Sequence, residues 1–277
     1  MVEKRKTVAE DVVLAGRGLH TGEHVEARIR PVAAGEGRFF VRKDLPGEPV
    51  IRARAAFVVD TTRSTTLANG EAQVRTPEHL LAALAGMGVD DACIELTGPE
   101  VPILDGSALP WAEAIARVGL SAAYAPRLQT VLEAPIWVPS SGDAFVAAIP
   151  SSELRFSCGI AFDAAPIGEQ WASFVASPER FLTQVAPART FGVVSDVEAM
   201  RARGLLAGAS LDAGIVCDEA KWLNGPLRFH DEPARHKLLD FIGDLSLLDP
   251  LPRAHYLAFK AGHALHVRLA SRLSEGA

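Results

Sequence analysis

Cysteine is scarce in this chain of 277 residues: Cys93, Cys158 and Cys217 lie far apart, and no two form a CxxC pair. An odd count gives no disulfide framework. Three reduced thiols acting as small hydrophobes are expected, in a cytoplasmic protein. Positive charge is also short. Lys and Arg number 28 against 34 Asp and Glu, for a formal net charge of −6. That argues against a general nucleic-acid binder, whose affinity comes from neutralising phosphates. No apolar run approaches the roughly 20 residues of a membrane-spanning helix. The opening MVEKRKTVAEDVVLAG is charged and has no apolar stretch long enough for a signal peptide. Two common motifs are missing as well. GRGLHTG (16–22) places Thr21 where GxGxxG needs its third glycine, and no βαβ pattern surrounds it, so no dinucleotide site is expected. His20 of that segment stands at the edge of a cleft at most. HExxH does not occur, which leaves a thermolysin-like protease unsupported.

What is present is an ordinary globular balance, 48% hydrophobic and 22% charged residues, sufficient for a sizeable core. Residues 7–58 alternate apolar and polar positions in short pieces, as an antiparallel sheet does. TPEHLLAALAGMGVDD then switches to helical period, with Thr76 as N-cap, Pro77 at the first helical position and Gly86 or Gly88 at the end. ACIELTG reads as a strand. PILDGSALPWAEAIARVG reads as a turn, with Asp105 as a structural acceptor, leading into a second helix. The order then repeats without any repeat of sequence. LEAPIWVPS, AFVAAIP and LRFSCGIAF are strands, SPERFLTQVAPARTFG is a helix and loop, RHKLLDFIGDLSLL a helix, AHYLAFKAG a strand and GHALHVRLASRL a closing helix. The expectation is an α+β protein of two similar layered subdomains, each a mostly antiparallel sheet with two helices. The divisions are 1–123, a linker 124–130, and 131–277 with an insert at about 191–220.

Three fragments carry chemistry. On a helix advancing about 100° per residue, His236, Asp240 and Asp244 share one narrow arc while Leu238, Leu239, Phe241, Ile242 and Leu245 fill the rest. A histidine and an aspartate one turn apart can hold one metal, although a hydrogen-bonded pair satisfies the same spacing. In TPEHLLAALAG, helix-start electrostatics account for Glu78 but leave His79 without a reason. His79, His236 and Asp240 would supply three ligands of a catalytic zinc and Glu78 a base. His263, after Gly262, either caps the last helix or donates a proton.

GRGLHTG (16–22), RTPEHLLAALAGMGVDD (75–91), PEVPILDGSALPW (99–111), ARTFG (188–192), RHKLLDFIGDL (235–245) and FKAGHAL (259–265) follow one another in this order. In wording and order the chain closely resembles the UDP-3-O-acyl-N-acetylglucosamine deacetylases, zinc amidases of lipid A biosynthesis, from about residue 3 to 272. The resemblance implies zinc on His79, His236 and Asp240, one ion per chain, with Fe2+ also compatible with those ligands. It implies a general base at Glu78, a catalytic histidine at His263 oriented by Asp244, and an oxyanion donor at Thr190. Lys237 and Lys260 fall near the substrate's charged groups, Phe162 against uracil and Phe191 near the sugar or acyl entrance. In the insert, small residues including Gly208 and Ser210 would leave room for an acyl chain. The implied substrate is an amphiphilic UDP-sugar with one fatty acyl chain, and the implied fold sets the helices of the two subdomains facing each other with the active site between them. A monomer is expected. Against the family's wording, Ser64 or Arg63 stands where some relatives carry cysteine, His266 stands where many carry asparagine, and AGASLDAG replaces GGSLDNA. Two other readings stay open: a zinc amidase for a different N-acyl sugar nucleotide, and a non-catalytic binder of sugar nucleotide or lipid.

Overall fold

Strict alternation builds the first sheet: along HVEARIR the even positions Val25, Ala27 and Ile29 are fully buried and their neighbours exposed, as a strand with one face on a core requires. The computed structural model describes residues 3–128, 130–140 and 142–275; positions 1–2, 129, 141 and 276–277, which the expected divisions include, lie outside the described residues. The first half runs β1 (Lys4–Val8), β2 (Val12–Arg17), β3 (His24–Arg30), β4 (Arg38–Arg42), β5 (Val50–Arg52), β6 (Val58–Asp60), β7 (Thr66–Asn69), β8 (Ala72–Arg75), α1 (Glu78–Gly86), β9 (Ala92–Leu96), α2 (Leu109–Val118) and β10 (Leu120–Pro126). The second runs β11 (Ile136–Pro139), β12 (Phe145–Pro150), β13 (Arg155–Ala161), β14 (Glu169–Val175), α3 (Pro178–Gln184), β15 (Phe191–Val193), α4 (Val194–Ala202), β16 (Ile215–Cys217), α5 (Glu232–Leu245), β17 (Ala254–Phe259) and α6 (His263–Glu275).

Two five-stranded sheets share one topology, β2-β3-β9-β4-β5 and β11-β12-β17-β13-β14. In each, the strand that follows a long helical excursion inserts at the centre. It lies antiparallel to one neighbour (β3 or β12) and parallel to the other (β4 or β13). The α+β expectation therefore holds, with one parallel pairing in each otherwise antiparallel sheet. A ribbon of β6, β7 and β8 completes the first half. The pairing of β1 with β10 reaches Lys4 opposite Pro126, so strand structure runs into the stretch read as linker. β14 was not legible as a strand: its core face holds only Ala172 and Phe174, while Trp171 is exposed.

The start of α1 corrects one reading. Thr76 is not the N-cap; Pro77 is, and no side chain caps the helix. Thr76 has φ +53°, and its hydroxyl instead donates to the fully buried Glu100 at 2.8 Å. A fully buried carboxylate gains from each donor it gathers, and this hydroxyl joins the His20 and Thr21 donors on Glu100.

Helices α1 and α5 cross and pack on each other, α5 also lies on β13 and β14, and α6 covers β11 and β12. The helical layers thus face one another, with the sheets outside. The crossing is close because residue 243 is glycine. A Cβ there would stand 2.2 Å from the Glu78 carbonyl oxygen, well inside contact distance.

Candidate active site

The crossing of α1 and α5 brings the three expected ligands together. His79, in the first turn of α1, and His236, on α5, each place Nε2 3.5 Å from Asp240 Oδ1. Their rings meet edge-on with centroids 4.9 Å apart. All three side chains are buried, and their donor atoms lie within 4.8 Å of one another, a group able to hold a metal ion. His236 Nδ1 donates to the Ala188 carbonyl at 3.1 Å, which fixes the tautomer and leaves the Nε2 lone pair facing Asp240. Burial, the largest influence, pushes the His236 pKa down to about 4, so the ring is neutral and able to ligate. Burial alone would raise the Asp240 carboxyl, but the Lys237 ammonium holds it well below the usual carboxylate range. Lys237 Nζ donates to Asp240 Oδ2 at 2.9 Å. Two imidazoles and one carboxylate converging without direct contact make a donor set that fits a divalent cation, zinc among them.

Glu78 is 3% exposed. Burial, reinforced by Asp244 and Asp240 and opposed by His263 and His79, lifts its carboxyl to about 7. On the other side Asp244 is saturated with donors. Thr65 Oγ1 reaches Oδ1 at 2.7 Å, and His263 Nδ1 and His266 Nδ1 both reach Oδ2, at 2.7 and 2.8 Å. Burial would lower the His263 pKa, but the Asp244 charge and hydrogen bond raise it to about 9. The same contacts hold Asp244 down at about 2 against the opposing effect of burial. His263 is therefore a cation at neutral pH, and Asp244 its anion.

A cavity of about 760 Å³ opens onto these groups. Glu78, His79, Thr190, Phe191, Phe162, Ser210, His236, Lys237, Asp240, Lys260 and His263 all line it, as does His20. Phe162 and Phe191 meet edge-on at 5.4 Å, and Lys237 Nζ stands 6.0 Å from the Phe191 ring. Lys260 Nζ bonds Asp143 at 2.6 Å. Arg63 and Ser64 line the wall beside the insert helix α4, where Arg63 lies 3.9 Å from Asp196. Asp244 and Gly208 do not line the cavity. Asp244 acts from behind His263. Gly208 abuts the 16–22 turn instead, where a Cβ would come 2.0 Å from the Gly18 carbonyl oxygen; it docks the insert onto the first half.

Nearly the whole length of the chain, residues 5–275, matches the family model described as LpxC: UDP-3-O-acyl N-acetylglycosamine deacetylase. The chain belongs to this deacetylase family. It is 53% identical over 275 residues to the UDP-3-O-acyl-N-acetylglucosamine deacetylase of a Nostoc species, with 98% of each chain covered. Identity to the enzyme of that name from Thermosynechococcus vestitus is 50%, covering 98% of this chain and 94% of the other. A protein of Arabidopsis thaliana named probable UDP-3-O-acyl-N-acetylglucosamine deacetylase 1, mitochondrial, is 42% identical, with 98% and 88% covered.

In this member of the deacetylase family several residues that hold the site escaped sequence reading. Thr65 bridges two site carboxylates: its backbone N–H donates to Glu78 at 3.3 Å and its hydroxyl to Asp244. Glu232, fully buried at the start of α5, accepts from the Arg189 backbone at 3.0 Å and from its guanidinium at 2.8 Å. That anchor presents the Ala188 carbonyl to His236. Glu100 accepts from the backbone of His20 and Thr21 and from the Thr21 and Thr76 hydroxyls, and so pins the 16–22 turn to the start of α1. For Glu232 and Glu100 the sequence signal was an acidic residue with no amphipathic excuse, and Thr65 gave none, because their partners lie on other elements.

Proposed function

We propose that this chain hydrolyses the N-acetyl group of a UDP-3-O-acyl-N-acetylglucosamine, releasing acetate and the free amine, as a committing step of lipid A biosynthesis. The juxtaposition of His79, His236 and Asp240 with Glu78 and His263 on one cavity wall carries the reading, and the names of the relatives supply the substrate. His79, His236 and Asp240 would hold Zn2+, or Fe2+ on the same donors, and a bound cation of this kind supplies Lewis-acid polarisation and lowers the pKa of a coordinated water toward 7.

The protein's own groups divide the remaining work. Glu78, half-ionised near neutrality, takes a proton from water as its oxygen attacks the acetyl carbon. Negative charge then grows on the former carbonyl oxygen, and Thr190 donates to it; losing one such donor typically costs about 10²–10³ in rate. An amine leaves only when protonated. His263, cationic and anchored through Nδ1, has Nε2–H free to give that proton as the C–N bond breaks. Lys237 holds Asp240 ionised and adds positive charge beside Phe191 for the sugar nucleotide, and Lys260 does so at the mouth. Phe162 offers a face for uracil. Leu206, Ala209 and Ile215 of the insert, all on the cavity wall, offer an apolar run to the acyl chain beside the small Ser210, and each buried CH₂ contributes about 0.8 kcal/mol.

Acetate release from the acylated sugar nucleotide, followed by mass spectrometry with and without a chelator, tests the proposal. Release that stops with chelator and returns with Zn2+ is expected. Equal rates on the non-acylated sugar nucleotide would shift the reading to another N-acyl substrate, and no release from either would leave a binder. Glu78→Gln should lower turnover by about 10²–10⁴ while metal content, measured by elemental analysis, stays at the wild-type level.

A further inference from the structure

His266 has no part in the chemistry above, yet it makes one of the shortest contacts in the site. It is 0% exposed, lies one turn beyond His263 on α6, and does not reach the cavity. Its Nδ1 points at Asp244 Oδ2, the oxygen that His263 also uses. Its Nε2 is buried with no partner, and its ring packs against Phe241 with centroids 4.7 Å apart.

These facts fix its protonation. A buried N–H with no acceptor is costly, whereas an unpaired ring lone pair costs less. The hydrogen therefore sits on Nδ1, where a carboxylate accepts it, and Nε2 carries the lone pair. A second charge is excluded too, because burial drives this imidazole to its neutral form. The Asp244 carboxylate thus holds a charged imidazole and a neutral one on a single oxygen, with Thr65 on the other.

We propose that His266 is a positioning residue: by donating to the oxygen that His263 uses, it locks the Asp244 carboxylate and so sets the orientation and proton affinity of His263. This rests on His263 being the acid of the proposed reaction, but the juxtaposition itself does not. Two donors on one oxygen share its basicity, so His266 keeps Asp244 from gripping the His263 proton too tightly to release it. The charged groups facing His263 are Asp244 and Asp240 from α5 and Glu78 from α1. Those facing His266 are Asp244 and Lys237 from α5 and His263 from its own helix. Only Asp244 touches both rings.

The first test needs no substitution. Long-range ¹H–¹⁵N correlation spectra of the chelator-treated protein at neutral pH should show His266 as the neutral Nδ1–H tautomer. An Nε2–H tautomer would overturn the proposal. The second compares His266→Phe, which keeps a ring and removes the donor, with His266→Asn, which keeps a donor. In His266→Phe the His263 ring should titrate about one unit higher and kcat should fall about tenfold with little change in KM, while His266→Asn restores both. A His263 titration unmoved in a folded His266→Phe protein would reduce His266 to core filling. Because the spectra are read on metal-free protein, they decide the pairing even if no substrate is turned over.

Discussion

Asp244 shows how much one side chain can do from outside the cavity. It lines no part of the cavity, yet it raises His263 to about 9 and is itself held at about 2. Replacing it by asparagine removes the charge and keeps the shape. Protonated His263 should then persist only below the ordinary imidazole value of about 6.5. The basic limb of kcat against pH should move down from about 9 by roughly two units; an unmoved limb would break the pairing. The same contact bears on stability. A histidine whose pKa is raised on folding contributes fully below its unfolded value and loses that contribution as pH rises through the folded one. The depressed Asp244 contributes above its unfolded value of about 4 and loses it as pH falls toward 2. The melting-temperature gap between wild type and Asp244→Asn should therefore be widest between about pH 4 and 6.5 and narrow above 9, as calorimetry would show.

Among the elements, the contact of α1 with α5 decides whether there is a site at all. Gly243 permits it, since any β-carbon would meet the Glu78 carbonyl. Gly243→Ala must push the helices apart at the turn that carries Glu78 and His79. Overpacking of this kind costs about 1–3 kcal/mol, and a misplacement near 1 Å breaks a three-ligand set. Urea unfolding should show the loss of stability. Competition with a chromophoric chelator should show zinc affinity at least tenfold weaker; wild-type affinity would mean that the ligands tolerate the displacement. The i, i+4 stripe of His236, Asp240 and Asp244 was legible from spacing alone, because all three sit on one helix. Thr65, Glu232 and the Ala188 carbonyl were not, because their partners lie on other elements. Thr76 misled for the same reason: its hydroxyl has a local use as a cap and a distant use on Glu100, and the distant use prevails.

Across the whole molecule, a second charged cluster joins the two halves outside the cavity. Arg5 on β1 bonds Asp91, which follows α1, at 2.8 Å and Asp249, which follows α5, at 2.7 Å. Arg127 bonds Asp90 alongside at 2.9 Å. Arg5→Ala strands the 1%-exposed Asp91 without its cation, a loss of about 3 kcal/mol by analogy with broken buried pairs. Chemical denaturation should register that loss while kcat stays at the wild-type value, since none of these residues lines the cavity. A fall in kcat of comparable size would mean that the joint also sets the spacing of α1 and α5. Among the described residues no helix is long and apolar enough to cross a membrane, in keeping with the absence of a long apolar run in the sequence.

Sequence alone determined what each segment could become and which side chains were out of place in it. Alternation set the strands, a 3.6-residue period set the helices, and His79, His236, Asp240 and Asp244 stood out as polar groups in apolar helices. Tertiary structure decided what those groups do. It set the central insertion of β9 and β17, the close crossing at Gly243, the sharing of Asp244 between His263 and His266, and the withdrawal of Gly208 from the cavity into a contact with the 16–22 turn. Periodicity is a property of neighbours along the chain, whereas pKa, tautomer and ligation depend on charges and donors brought within a few ångströms from distant parts of it.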